Sequence, residues 1–185
     1  GYWISANPEK GKNLVDAAIR DSENALYYDP KNVIALGNLP IIYLLSLWSI
    51  PTTSGKIFTA RKAFVQLDDL NFHYPNHYMT NLVRGLYYRL KARMVSLSSE
   101  SDYDNAIKYL DISINQSRNG AKNMSSEPLA KKIYEETLKT TAYFKESYQD
   151  FSGAISYYNE LIDLYKKENK MDRLAENLDN KIRNY

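Results

Sequence analysis

The predicted fold depends on one stretch of sequence, AIRDSENALYYDPKN at residues 18–32. Its apolar residues recur at helical spacing from Ala18 to Leu26, which indicates an amphipathic helix. Asp29-Pro30 then ends the helix, because proline lacks the amide hydrogen that a further turn would need. A helix over residues 10–28 followed by a tight turn is therefore predicted.

The spacing inside this helix recurs three more times along the chain. In each copy an alanine is followed by isoleucine or phenylalanine, and core-type residues stand four and seven positions after the alanine. The four sets are Ala18-Ile19/Ser22/Ala25, Ala63-Phe64/Leu67/Leu70, Ala106-Ile107/Leu110/Ser113 and Ala154-Ile155/Tyr158/Leu161. The alanines are 45, 43 and 48 residues apart, and a repeat of this length indicates stacked supersecondary units.

The rest of the chain predicts about eight helices and no strand. Helical periodicity covers residues 10–28, 56–72, 78–97, 102–116, 128–148, 151–168 and 171–183, and the uncharged run 33–50 supplies one more. Turn-forming stretches separate these helices, at 51–55, Tyr74-Pro75, 98–101 and Asn119-Gly120. Ser126 is a predicted N-cap, with Pro128 near the first helical position. No stretch alternates with period two, so the predicted class is all-α.

The repeated stretches resemble the tetratricopeptide repeat (TPR) family. Residues 18–32 match the second helix and exit turn of that repeat nearly residue for residue, and residues 63–76 have the same spacing and Pro-Asn exit. The departures are a period longer than the usual ~34 residues and no exit proline in the last two units. The resemblance implies one domain, 1–185, folded as a right-handed α-solenoid of about four helix-turn-helix hairpins, with units at roughly 10–50, 55–97, 102–148 and 150–184.

Composition excludes several kinds of chemistry. The chain has no cysteine and only two histidines, which removes disulfides, thiolate nucleophiles and Cys-ligated metals and disfavours a multi-histidine metal site. Its net charge of +2 is far from that of a polycationic nucleic-acid-binding surface. Asp68-Asp69 and Glu135-Glu136 have no partners at catalytic spacing and are interpreted as exposed helix charges. We therefore expect a non-catalytic protein with no metal or cofactor.

The resemblance also implies where a partner would bind, since the first helix of each TPR pair lines a concave groove that holds peptides or helices. The groove residues implied for this chain are Asn38, Ile41 and Leu45 in one unit, Met79, Leu82, Val83, Leu86 and Arg89 in the next, and Lys139, Thr140 and Tyr143 in a later one. This set is mostly apolar and lacks the Lys/Asn/Arg pattern that clamps a C-terminal carboxylate. It suits an apolar helix or extended segment. The alternative is that these residues pack against the chain's own residues 171–183.

The expected function is that of a protein-binding scaffold or adaptor, with two alternatives. One is an RNA-binding helical repeat, since basic residues of the middle region interleave with Tyr87 and Tyr88. Asp68 and Asp69 dilute that basic region, so no nucleic-acid partner is expected. The other is a helical carrier of an apolar small molecule, which a tyrosine-rich helical array could host.

Two local patterns suggest a membrane span and a metal site, but each has a simpler interpretation. The run 33–50 approaches the minimum length of a membrane span, but Asn38, Pro40 and the weakly basic flanks favour a central helix of an array. His73 and His77 are four residues apart, yet Tyr74-Pro75 breaks the helix between them and favours a solvated turn over a metal pair.

The cellular compartment is not readable from the sequence. The chain does not begin with methionine, which fits a processed chain or a piece of a longer protein. Cytoplasmic, periplasmic and surface-lipoprotein locations are all compatible, the last with a lipid anchor upstream. The oligomeric state is left open.

Overall fold

The computed structural model describes residues 8–47, 50–93, 100–122 and 128–168. Within these ranges the chain forms seven α-helices and no strand, which confirms the predicted all-α class. The helices are α1 (Pro8–Tyr28), α2 (Val33–Ser46), α3 (Thr53–His73), α4 (Tyr78–Arg93), α5 (Glu100–Lys122), α6 (Pro128–Ser147) and α7 (Phe151–Lys167).

Helices α2 and α5 end at residues other than those predicted. Helix α2 ends at Ser46, four residues before the end of the apolar run, and it continues through Pro40. Helix α5 passes through Asn119-Gly120 to Lys122, so the predicted break there is wrong. No described glycine has a positive φ; Gly120 stays helical, although glycine in a helix costs about 1 kcal/mol relative to alanine. The predicted helix 171–183, the Ser126 cap and most of the turn 98–101 lie outside the described residues.

Three helices begin at a side chain that caps the first turn. The Asn32 side chain accepts the Ala35 N–H at 3.0 Å, Thr52 Oγ1 accepts the Gly55 N–H at 3.2 Å, and Asp150 Oδ1 accepts the Gly153 N–H at 2.9 Å. Each cap satisfies one of the backbone donors that a helix leaves unpaired at its start. These residues therefore fix where α2, α3 and α7 begin.

The chain divides into two compact units, Gly1–Ala106 and Ile107–Tyr185, and the division falls inside α5. In the first unit, α2 packs against α1, α3 and α4, and α4 also packs against α3. The core residues of this unit include Leu36, Leu39, Tyr43, Leu67, Leu70, Met79, Leu82 and Val83. Gly37 lets α2 approach α4 closely, because the Met79 side chain occupies the space that a β-carbon would need.

The second unit is built on the α6–α7 hairpin. Its core cluster contains Ile114, Tyr134, Leu138, Ala142, Ala154, Tyr158, Leu161, Ile162 and Tyr165. Tyrosine serves here as a core residue because its ring packs like an apolar side chain while its hydroxyl needs a partner. Carboxylates supply those partners, in the pairs Tyr134–Glu160, Tyr157–Asp111, Tyr158–Glu146 and Tyr165–Glu135.

Candidate interaction surface

The implied groove residues differ widely in accessibility. On α2, Asn38 and Ile41 are half-buried and Leu45 is 54% exposed. On α4, Leu86 and Arg89 are half-buried. Because α2 and α4 pack against each other in the first unit, these five residues lie on neighbouring helices.

Three of the implied groove residues are part of the core. Met79, Leu82 and Val83 are 1%, 4% and 0% exposed, so a partner could reach them only if the unit repacked. For Met79 the reason is the close approach at Gly37, where the Met79 side chain fills the space that a β-carbon would need. Their contribution in this structure is to stability.

The remaining groove residues belong to the second unit. Thr140 is half-buried and Tyr143 is 40% exposed. The Lys139 ammonium lies 2.9 Å from Glu135 Oε1 and 3.2 Å from Glu136 Oε1. Lys139 is therefore already engaged by two carboxylates of its own helix. Binding of a partner by the implied groove residues remains a prediction.

Glu135 is buried, whereas the sequence predicted an exposed helix charge. It is 5% exposed, and its Oε1 accepts hydrogen bonds from the Tyr165 hydroxyl at 2.8 Å and from Lys139 at 2.9 Å. Burial, together with the hydrogen bond to Glu135, raises the pKa of Tyr165 to about 12. A buried carboxylate is tolerated only when it is hydrogen-bonded or paired with a charge. Here Tyr165 of α7 and Lys139, one turn further along α6, provide these contacts.

In the described part of the first unit, α3 carries an accessible apolar surface. We name it the α3 outer face, and it consists of Ile57, Phe58, Phe64, Val65 and Phe72. These side chains are 58%, 62%, 46%, 56% and 82% exposed, respectively. The Phe64 ring also contacts Tyr87 of α4, with 6.0 Å between ring centroids.

The outer face lies opposite the buried face of the same helix. Ala63, Leu67 and Leu70 point into the core and are 2%, 7% and 0% exposed. With 3.6 residues per turn, Phe58, Val65 and Phe72 project about 140–180° away from Ala63. Ile57 and Phe64 project about 100–120° away from Ala63, on the flank of the outer face. The exposed side of α3 thus carries large apolar residues beside its charged ones, whereas an ordinary surface helix presents mostly polar residues to water.

Sequence reasoning missed the α3 outer face because it followed a single apolar stripe through each repeat. The sequence does contain this second apolar stripe. Ile57, Phe64 and Phe72 follow one another at spacings of seven and eight residues, and each spacing is about two helical turns. Periodicity alone does not tell which of two apolar stripes is covered by the rest of the fold.

The two histidines lie in different surroundings. His73 is exposed in the last turn of α3, whereas His77 is half-buried and its Nδ1 accepts the Met79 N–H at 3.2 Å. Within the described ranges no group of three or more His, Asp or Glu side chains could hold a metal ion. None of the seven helices is long and apolar enough to cross a membrane.

Comparison of the chain with family models, with curated proteins and with solved structures gives no match. Function is accordingly inferred from the chain's own exposed side chains.

Proposed function

We propose that this chain is a non-catalytic protein-interaction module whose exposed apolar side chains bind a protein partner. The observation that carries the proposal is the α3 outer face, where five large apolar side chains remain about half exposed or more. Contiguous exposed apolar patches of more than a few hundred Å² are unusual on soluble chains and mark sites of association.

The energetic reason is the cost of hydrating this surface. Covering apolar area gains about 25 cal/mol per Å², so a partner that covers the outer face gains several kcal/mol before the costs of association. Phe58, Phe64 and Phe72 supply three aromatic anchors, and buried aromatic anchors commonly dominate binding energy.

The packing order in the first unit supports a divergent TPR-like array as the framework. Helix α2 packs on α3, α4 packs on α3, and α2 also packs on α4, which is the succession that stacked helical hairpins produce. In this proposal Ile41, Leu45 and Leu86 offer a second, smaller surface on α2 and α4 of this unit. The scaffold or adaptor role follows from having accessible apolar residues on separate helices.

Site-specific photo-crosslinking tests the proposal. A benzophenone amino acid would replace Val65 on the α3 outer face, Leu45 on the groove side, and Asn24 as an exposed control on α1. We expect protein adducts at position 65, with or without adducts at 45, and none at 24 after irradiation in lysate of the native organism. Absence of protein adducts at both 65 and 45, in variants with unchanged helicity, would overturn the proposed function.

A further inference from the structure

We propose that the α3 outer face binds a second copy of this chain, through a two-fold symmetric, antiparallel pairing of α3 with α3. The inference rests on the proposed function, because it names the partner of the same surface. It is carried by the arrangement of apolar and charged residues about the middle of the helix.

The apolar residues of the outer face are symmetric about the midpoint between Phe64 and Val65. Ile57 stands seven residues before Phe64, and Phe72 stands seven residues after Val65. Seven residues are about two helical turns, so Ile57 and Phe64 form one stripe and Val65 and Phe72 form another, about 100° apart on the exposed side of α3. In an antiparallel pair centred on this midpoint, Ile57 lies at the height of Phe72 of the second copy, and Phe64 at the height of Val65.

The charges on the same side are symmetric in position and opposite in sign. Arg61 stands three residues before Phe64, and Asp68 stands three residues after Val65. The antiparallel pairing therefore brings Arg61 of each copy to the height of Asp68 of the other. A two-fold interface repeats every contact, so this single sequence relation produces two ion pairs.

Arg61 and Asp68 are both exposed. Within the described residues neither side chain forms an ion pair. The dipole of α3 does not stabilise these two charges. A helix dipole favours acidic residues near the N-terminus and basic residues near the C-terminus, whereas Arg61 precedes Asp68 in α3. A neighbouring antiparallel helix reverses this order and places each charge beside its complement.

The size of the face also suits a dimer. Aromatic side chains bury about 150–250 Å² each when fully covered, and isoleucine and valine bury less. Five half-exposed side chains from each copy would therefore bury roughly 1,000 Å² in total, near the lower limit of a specific interface. A different protein could match this face without any symmetry in it. The self-complementary order of apolar and charged positions is what identifies a second copy as the occupant.

The first experiment measures the mass of the chain and the position of the contact. We expect sedimentation equilibrium to give twice the mass of one chain at micromolar concentration. Since the chain has no cysteine, Val65→Cys introduces a single thiol beside the two-fold axis and should give a disulfide-linked dimer on mild oxidation. Asn24→Cys, at an exposed position of α1, is the matched control and should stay mostly uncrosslinked.

The second experiment reverses the charges. Arg61→Asp and Asp68→Arg each place like charges opposite one another, and each should raise the dimer dissociation constant at least about tenfold. The double variant Arg61→Asp/Asp68→Arg restores two opposite-charge pairs and should recover most of the affinity. Both residues are exposed, so circular dichroism should show unchanged helicity in all three variants.

Each other result overturns the inference. A monomer at all concentrations overturns it, and so does a dimer that Val65→Cys does not link or that the double variant does not restore. A monomer that forms adducts with a different protein through position 65 overturns the inference but leaves the proposed function standing, whereas a monomer without protein adducts there or at position 45 removes both. A monomer that binds vesicles of phosphatidylcholine and phosphatidylglycerol through the same face would assign the face to a membrane and likewise overturn the inference.

Discussion

At the scale of single residues, Gly37 decides how closely α2 and α4 pack. A β-carbon at this position would overlap Met79 Cγ and lie 2.6 Å from Met79 Sδ. Gly37→Ala should therefore lower the free energy of unfolding by about 1–3 kcal/mol. The usual gain of about 1 kcal/mol from replacing a helical glycine by alanine is outweighed because Met79 is enclosed in the core. Denaturant unfolding measures the change.

The matched experiment places the same substitution in a background without the Met79 side chain. In Met79→Ala, the added methyl group of Gly37→Ala has room, so the substitution should be neutral or stabilising there. An equal loss in both backgrounds would show that Gly37 is needed for a reason other than its contact with Met79.

At the scale of elements, the α6–α7 turn is held in a conformation that suits glycine better than its own residue. Gln149 has φ 62°. The Gln149 N–H donates to the Glu146 carbonyl at 2.9 Å and the Asp150 N–H to the Lys145 carbonyl at 3.0 Å, which is the Schellman pattern of helix ends. Gln149→Gly should raise the free energy of unfolding by about 0.5–1 kcal/mol, because it removes left-handed strain of ~1–2 kcal/mol and loses part of that gain to chain entropy.

Gln149→Ala serves as the control in thermal and denaturant unfolding. It removes the same side chain but keeps a β-carbon, so its stability should stay within about 0.5 kcal/mol of the original. If alanine stabilises the chain as much as glycine does, the side chain of Gln149 rather than the backbone conformation is the source of the effect.

At the scale of the whole molecule, buried tyrosines should make the chain sensitive to alkali. Burial, together with the hydrogen bond that its hydroxyl shares with Glu160, raises the pKa of Tyr134 from 10.0 to about 12, and Tyr165 is raised similarly. The stability that this difference provides, roughly 2–3 kcal/mol per tyrosine, is fully present below pH 10. It is lost as the pH rises towards about 12, because the unfolded chain ionises first.

Denaturant unfolding at a series of alkaline pH values measures this loss. Tyr134→Phe and Tyr165→Phe should each make the stability fall less steeply with pH, although both lower stability at neutral pH by removing a hydrogen-bond donor from a carboxylate. Tyr28→Phe, at a position 85% exposed, is the control and should leave the slope unchanged. An identical slope in all variants would place the alkaline sensitivity elsewhere.

Local patterns predicted the helices and their ends well. Asp29-Pro30 and Tyr74-Pro75 end α1 and α3 at the predicted places, because proline lacks the N–H that a further turn would bond and disfavours a helical residue before it. Proline is not decisive everywhere, since α2 continues through Pro40. The prediction failed at Asn119-Gly120, where a weak breaker preference of about 1 kcal/mol does not interrupt α5. The preference of a single residue ends a helix only when its free energy exceeds that of the contacts that hold the helix together.

The candidate site was less predictable. The resemblance placed Met79, Leu82 and Val83 at a partner surface, whereas all three are buried in the core of the first unit. The α3 outer face was present in the sequence as a second apolar stripe, but a stripe does not show whether another helix covers it. Which stripe is covered depends on contacts between residues far apart in the chain.

The sequence by itself determined the all-α class, the helix ends at Asp29-Pro30 and Tyr74-Pro75, and the residues that could be buried, because these follow from local backbone chemistry and apolar spacing. Only the tertiary structure decided that Val83 is buried while Val65 is exposed, and that Glu135 is enclosed between Lys139 and Tyr165. The physical reason is that burial is a property of neighbouring helices brought together by folding, and two valines of equal hydrophobicity differ only in which helix packs over them.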